Sequence, residues 1–195
     1  MKTPLGYQIT EYDCVPTTFI NALKYLFERD EIFPEVIKNI YMYSLDTYNR
    51  NGKLGGNGTS YFAVKLISNW LNEFSKSHNL KIQCETLESE EINLKSDSKI
   101  YECLNNNGVA AIKVYFDNPN IYHYVLLTSI DDDYVYVFDP YYRKRNFKDR
   151  EIEIIVDKSK IYNRRISKSR FTEEEKIFYA MSFVEDRECT LLYKL

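Results

Sequence analysis

Residues 8–18 read Q-I-T-E-Y-D-C-V-P-T-T, and the rest of the chain is best read outward from them. Apolar residues follow at Phe19, Ile20, Leu23, Leu26 and Phe27, the spacing of one helix face. Pro16 suits the first turn of that helix, where a missing N–H costs nothing. Cys14 is therefore placed at or just before a helix N-terminus. That position favours negative charge, and the thiolate rather than the thiol is the nucleophile. Gln8 lies six residues upstream of Cys14. Its side-chain N–H, with the Cys14 backbone N–H, can hold a developing oxyanion. The competing reading of Cys14 is a structural core thiol, as most cysteines are. Cys84, Cys103 and Cys189 fall inside strand or helix patterns and are read as core.

A second helix is expected from Pro34 through residues 35–48, and a third over residues 61–77, capped by Thr59 or Ser60. Val64, Ile67, Leu71 and Phe74 mark the third helix's buried face. A glycine-rich loop, residues 49–58, separates the two. From about residue 80 the period changes. Residues 81–87 read as a strand, and 98–108 as a short helix ending at a glycine C-cap, Gly108. Runs at 109–116, 123–130, 134–141 and 151–156 are β-branched and aromatic, hence strands, and 189–195 is a possible last strand. A helical first half packed on an antiparallel sheet from the second half defines an α+β fold. With 195 residues and no linker or repeat, the expectation is one domain spanning residues 1–195.

Residues 122–142, Y-H-Y-V-L-L-T-S-I-D-D-D-Y-V-Y-V-F-D-P-Y-Y, supply the other half of the candidate site. Asp131 to Asp133 form the turn of a hairpin. Pairing about residue 131 sets His123 opposite Asp139, with Cβ atoms roughly 5 Å apart. A carboxylate there can fix the imidazole tautomer. Taken singly, His123 also reads as a satisfied sheet histidine, and Asp139 as the turn residue before Pro140. Together with Cys14 and Gln8 they make the parts of a thiol acyl-transfer enzyme: nucleophile, base, orienter and oxyanion donor.

Other classes are poorly served. A net charge of −3, from 26 basic and 29 acidic residues, gives no footprint for nucleic acid or an anionic membrane. No segment is apolar and long enough to cross a bilayer, and the N-terminus lacks the core of a signal peptide. A cytosolic location is the default, with the four cysteines reduced. No cofactor and no metal are expected. The cysteines lack metal-ligand spacing, residues 52–60 lack the ending of a phosphate loop, and the aspartate run lacks the spacing of a calcium loop. Arg164 and Arg165 read as a solvated face. No oligomeric state is implied.

The Q-x5-C segment resembles that of the papain-like cysteine peptidase superfamily. Read as Q-x4-D-C-x-P, it is more closely similar to the bacterial peptidases that process double-glycine leader peptides (bacteriocin-processing peptidases) and to their stand-alone relatives. H-Y-V-L-L-T-S-I followed by V-Y-V-F-D-P resembles that family's histidine and aspartate block, and G-N-G-T-S its glycine-threonine segment. These motifs span residues 8–140, and the tail after about residue 150 carries none. The resemblance implies a papain-like fold with Cys14 as nucleophile, His123 as base, Asp139 as orienter and Gln8 in the oxyanion hole. It implies a hydrolase acting on a peptide or amide substrate through an acyl-enzyme. An acyltransferase on the same thioester and a catalytically silent peptide-binding module are the alternatives. One position departs from the pattern: Val15 stands where the family has glycine, and a β-branched side chain there can crowd a substrate backbone.

Overall fold

A computed structural model of the chain describes residues 1–117, 121–156 and 161–195. Helices α1 (Cys14–Leu26), α2 (Pro34–Tyr43) and α3 (Tyr61–Ser77) come first, as the periodicity requires. Helix α2 is shorter than the sequence pattern. Ser44 returns its hydroxyl to the Ile40 carbonyl, and Leu45 turns left-handed (φ 57°), its N–H donating to Thr59 Oγ1. That leaves Ser60 as the α3 cap, accepting from the Ala63 N–H.

Strands β1 (Ile82–Glu88), β2 (Val109–Asp117), β3 (Ile121–Ile130), β4 (Tyr134–Phe138), β5 (Ile152–Ile154), β6 (Arg164–Ser167) and β7 (Glu188–Lys194) follow. Helix α4 (Lys99–Asn105) precedes β2, and the short α5 (Lys168–Thr172) follows β6. Among the described residues the strands form one antiparallel sheet in the order β1-β7-β2-β3-β4-β6-β5. The tail is therefore integral: its last strand sits between β1 and β2.

The sheet is covered on both faces. Leu126 points into the core beneath the first three helices, with Phe19, Leu23, Ile67 and Leu71. Leu127, its neighbour, points into the opposite core with Val137, Ile166 and Phe171. Burial on both faces explains why β3 reads as a continuous apolar run instead of an alternating one. Val15 is 2% exposed and lies in the first core, not at the surface beside Cys14.

Helix α4 ends differently from the glycine-cap expectation. Asn107 takes the left-handed conformation (φ 59°), and the Gly108 N–H donates to the Cys103 carbonyl at 2.8 Å. Gly108 is needed for close approach: a Cβ there would lie 2.5 Å from Cys103 Sγ and 2.9 Å from two carbonyl oxygens. Gly108→Ala is expected to destabilise the fold by about 1–3 kcal/mol, from overpacking. Asn107→Gly, which keeps the backbone conformation, should change stability by under about 0.5 kcal/mol. Urea unfolding of both variants checks this, and equal midpoints would refute the close-approach account.

Candidate active site

Helix α1 docks on β3 through one buried bond: Thr18 Oγ1 donates to the Tyr124 carbonyl at 3.1 Å. Thr18 is one turn beyond Cys14, and Tyr124 is the residue after His123. That bond therefore sets the helix start against the imidazole. The loop before α1 is organised by Asp13, which is nearly fully buried. Its carboxylate accepts the N–H groups of Ile9 (3.1 Å) and Thr10 (2.7 Å) and the Thr10 hydroxyl (2.6 Å). The Gln8 N–H donates to the Pro140 carbonyl at 2.9 Å, tying this loop to the residue after Asp139.

His123 Nε2 lies 2.7 Å from Asp139 Oδ1, with the residues 4% and 1% exposed. A carboxylate only accepts, so the shared proton is on Nε2. Nδ1 then remains to face the half-buried Cys14, which lies close enough to the ring to favour its charged form. Burial disfavours the charged imidazole, but the Asp139 carboxylate outweighs it, with help from Cys14, and the His123 pKa is raised to about 10. Burial likewise opposes ionisation of Asp139. His123, Arg164 and Tyr179 overcome it and hold the carboxyl below its ordinary value. The site thus favours an imidazolium–carboxylate pair at neutral pH, beside Cys14 at a helix N-terminus.

The hairpin reaches this geometry by another register. Leu126 pairs with Phe138 and Leu127 with Val137, so Asp139 lies two positions from the expected partner, and a bulge separates Leu127 from Ser129. A two-residue shift keeps every side chain on its original face, whereas a one-residue slip would have parted the pair. The turn at residues 131–133 is as read: Asp131 Oδ1 accepts the N–H groups of Asp133 and Tyr134.

The Gln8 backbone is tied to the residue after Asp139, and its side-chain amide is engaged by its own loop. Nε2 donates one hydrogen to the Thr10 carbonyl at 2.7 Å, and Oε1 is buried without a partner. The second Nε2 hydrogen remains uncommitted.

Residues after 140 complete the surroundings of Asp139. Its Oδ1 also accepts the Tyr141 N–H (2.7 Å), and its Oδ2 accepts the Tyr179 hydroxyl. Asn163 brackets its backbone, accepting the N–H at 2.7 Å and donating to the carbonyl at 2.9 Å. Arg164 overturns its sequence reading. It is 2% exposed, its Nε 4.0 Å from Asp139 Oδ2, and its Nη atoms donate to the carbonyls of Asn163 and Tyr141. Alternation with Ile166 along β6 was the signal for its burial. No comparable pattern pointed to Tyr179.

A cysteine at the start of a helix packed on an antiparallel sheet, with a buried histidine–aspartate pair beside it, is the architecture of papain-like cysteine peptidases. The family model described as Peptidase_C39 like family matches residues 2–169. The chain belongs to that family, a papain-like cysteine peptidase relative of the bacteriocin-processing peptidases, and peptides are its substrate class. A comparison with curated proteins found no match. Among the described residues no helix is long and apolar enough to cross a membrane.

Proposed function

We propose that the chain hydrolyses a peptide bond through a Cys14–His123–Asp139 triad and an acyl-enzyme thioester. The observation that carries this reading is the buried His123–Asp139 bond of 2.7 Å, with Cys14 close enough to the ring to favour its charged form. Asp139 holds the imidazole with its proton on Nε2 and offsets the ring's charge. In the reacting form the Cys14 proton has passed to Nδ1 of His123, and the resulting thiolate attacks the carbonyl carbon, whose oxygen becomes an oxyanion. The Cys14 N–H, an unbonded donor of the first helical turn, faces that charge. Gln8 supplies a second donor through its uncommitted amide hydrogen. His123 then protonates the leaving amine as the C–N bond breaks, leaving a thioester and a neutral ring. His123 takes a proton from water, the hydroxide attacks, and the thiolate departs. With β7 inside the sheet, the reading of residues 1–195 as one domain is supported as well.

The test is iodoacetamide alkylation of each cysteine between pH 5 and 9, read by peptide mass spectrometry. Burial pushes Cys84, Cys103 and Cys189 up, Cys103 to about 12, so they serve as internal controls. Cys14 is expected to react at pH 6 at least about 100-fold faster than any of them. His123→Ala should remove most of that low-pH reactivity. Equal rates at all four positions in folded protein would end the triad reading.

A further inference from the structure

The carboxylate of Asp139 is held from the far side by residues outside the recognised motifs. Its Oδ1 meets His123 Nε2 and the Tyr141 N–H, and its Oδ2 meets the Tyr179 hydroxyl. Arg164 is the nearby buried cation, but its Nε is 4.0 Å from Oδ2 and makes no hydrogen bond. Tyr179 is thus the side chain that donates to Oδ2. We propose that Tyr179 is a positioning residue of this peptidase, its hydroxyl fixing the rotation of the Asp139 carboxylate so that Oδ1 faces His123.

Three further observations support the assignment. Tyr179 has φ +64°, a left-handed conformation that side-chain-bearing residues rarely adopt. Strain of that kind persists only where surrounding structure enforces it. Here the Tyr179 N–H donates to the Tyr115 carbonyl and the Tyr115 N–H to the Ala180 carbonyl, both at 2.8 Å. Residues 179–180 thus continue along β2 beyond the stretch paired with β7. The ring is fully buried, with Phe116, Phe147 and Phe178 around it at centroid distances of 4.8–6.3 Å. Burial and the neighbouring carboxylate keep the phenol protonated, so it donates at neutral pH. Tyr179 also lies beyond residue 169, where the family match ends.

The inference rests on the triad reading, and its consequence is a pH effect. Asp139 is faced by His123 from β3, Arg164 from β6 and Tyr179 from the tail, and Cys14 from α1 acts on the His123 ring. Burial disfavours the imidazolium, so the ring stays charged only while Asp139 is ionised. Removing the hydroxyl withdraws a donor from the carboxylate, which then protonates at higher pH. Low-pH reactivity of Cys14 should fail with it.

The experiment compares wild type, Tyr179→Phe and Tyr136→Phe. Tyr136 also donates to an aspartate, Asp131, but at the hairpin turn. The probe is iodoacetamide at Cys14 from pH 4 to 8, together with ¹⁵N spectra of the two histidines, His78 and His123. In Tyr179→Phe the acid limb should rise by about one pH unit, a roughly tenfold lower rate on the limb, as loss of a charge-assisted hydrogen bond implies. The Nε2–H signal of His123 should exchange faster, with near-UV circular dichroism retained. Tyr136→Phe should match wild type. An unchanged limb and signal in Tyr179→Phe, whatever its melting temperature, overturns the assignment. Should Tyr179→Phe not fold, 3-fluorotyrosine at position 179 replaces it. This stronger donor must lower the limb, and an unmoved limb overturns the proposal. Failure of the triad reading looks different: wild-type Cys14 would then lack low-pH reactivity, or His123→Ala would leave it unaltered.

Discussion

His123→Ala is expected to lower cleavage of any peptide the wild type hydrolyses by about 10⁴-fold in kcat/KM. Loss of a general acid–base group accounts for about 10²–10⁴. Where groups act as a unit, losing one costs nearly as much as losing all, which sets the estimate at the upper end. No other imidazole can take over. The second histidine, His78, lies just beyond the end of α3, its ring stacked on Phe74 at 3.9 Å and its Nδ1 beside the Ser77 hydroxyl. Nor can another thiol replace Cys14, since the remaining three are buried. Cys14→Ala should therefore be at least as damaging. The measurement is turnover of a peptide library followed by mass spectrometry, with the hits re-assayed in each variant. Activity in His123→Ala within tenfold of wild type would remove His123 from the mechanism. The raised pKa of His123 adds a pH signature. The ring remains charged up to about 10, so the imidazolium proposed to protonate the leaving amine is present throughout the neutral range and is lost as pH passes that value.

Local physics was legible in the sequence; long-range pairing was not. Helices α1 and α3 follow from apolar spacing and from Ser60, and the hairpin turn from an aspartate that satisfies two backbone N–H groups. Meeting of His123 and Asp139 was legible because face, not register, decides it. Pairing through Leu126 and Phe138 differs from the expected alignment by two residues, and that difference preserves the contact. Three features needed the fold. Which strand neighbours β2 is set by packing in two cores, so the place of β7 could not be read locally. Arg164 looks solvated when counted as a charge and buried when counted as every second residue of β6, and only the position of Asp139 decides between these. Tyr179 is one of 18 tyrosines, and its donor role depends on a backbone turn that carries no glycine to announce it. For Gln8, the sequence did not show that its amide is engaged by a neighbouring carbonyl, that of Thr10.

The same buried cluster predicts the largest stability effect. Asp139→Ala should destabilise the protein by about 3–5 kcal/mol, because it leaves a buried cation and several buried donors without their acceptor. Arg164 would face no carboxylate, and the Tyr179 hydroxyl, the Tyr141 N–H and His123 Nε2 would each lose a partner. At about 2–4 °C per kcal/mol for a chain of this size, the melting temperature should fall by about 10 °C. The effect has a defined pH window. Asp139 is lowered from its ordinary 3.8 by its partners, so its contribution is fully present above that value and is lost as pH falls through the lower folded value. His123 is raised from 6.5 to about 10, so its contribution is complete below 6.5 and is lost as pH rises through about 10. The gap between wild type and Asp139→Ala should therefore be widest from about pH 4 to 6.5, narrow as pH rises toward 10, and narrow again in acid. Urea unfolding at pH 3, 5, 7 and 10 reads the gap directly. A gap of the same size at all four would mean that Asp139 contributes packing volume and no charge, and the pairing that holds His123 in place would have to be sought elsewhere. Asp139→Asn divides the two cases further. It keeps the volume but loses the charge and sets an amide N–H₂ against donors, so it should recover little of the stability and leave turnover near the level of His123→Ala, since a neutral amide neither sustains the imidazolium nor dictates which ring nitrogen carries the proton.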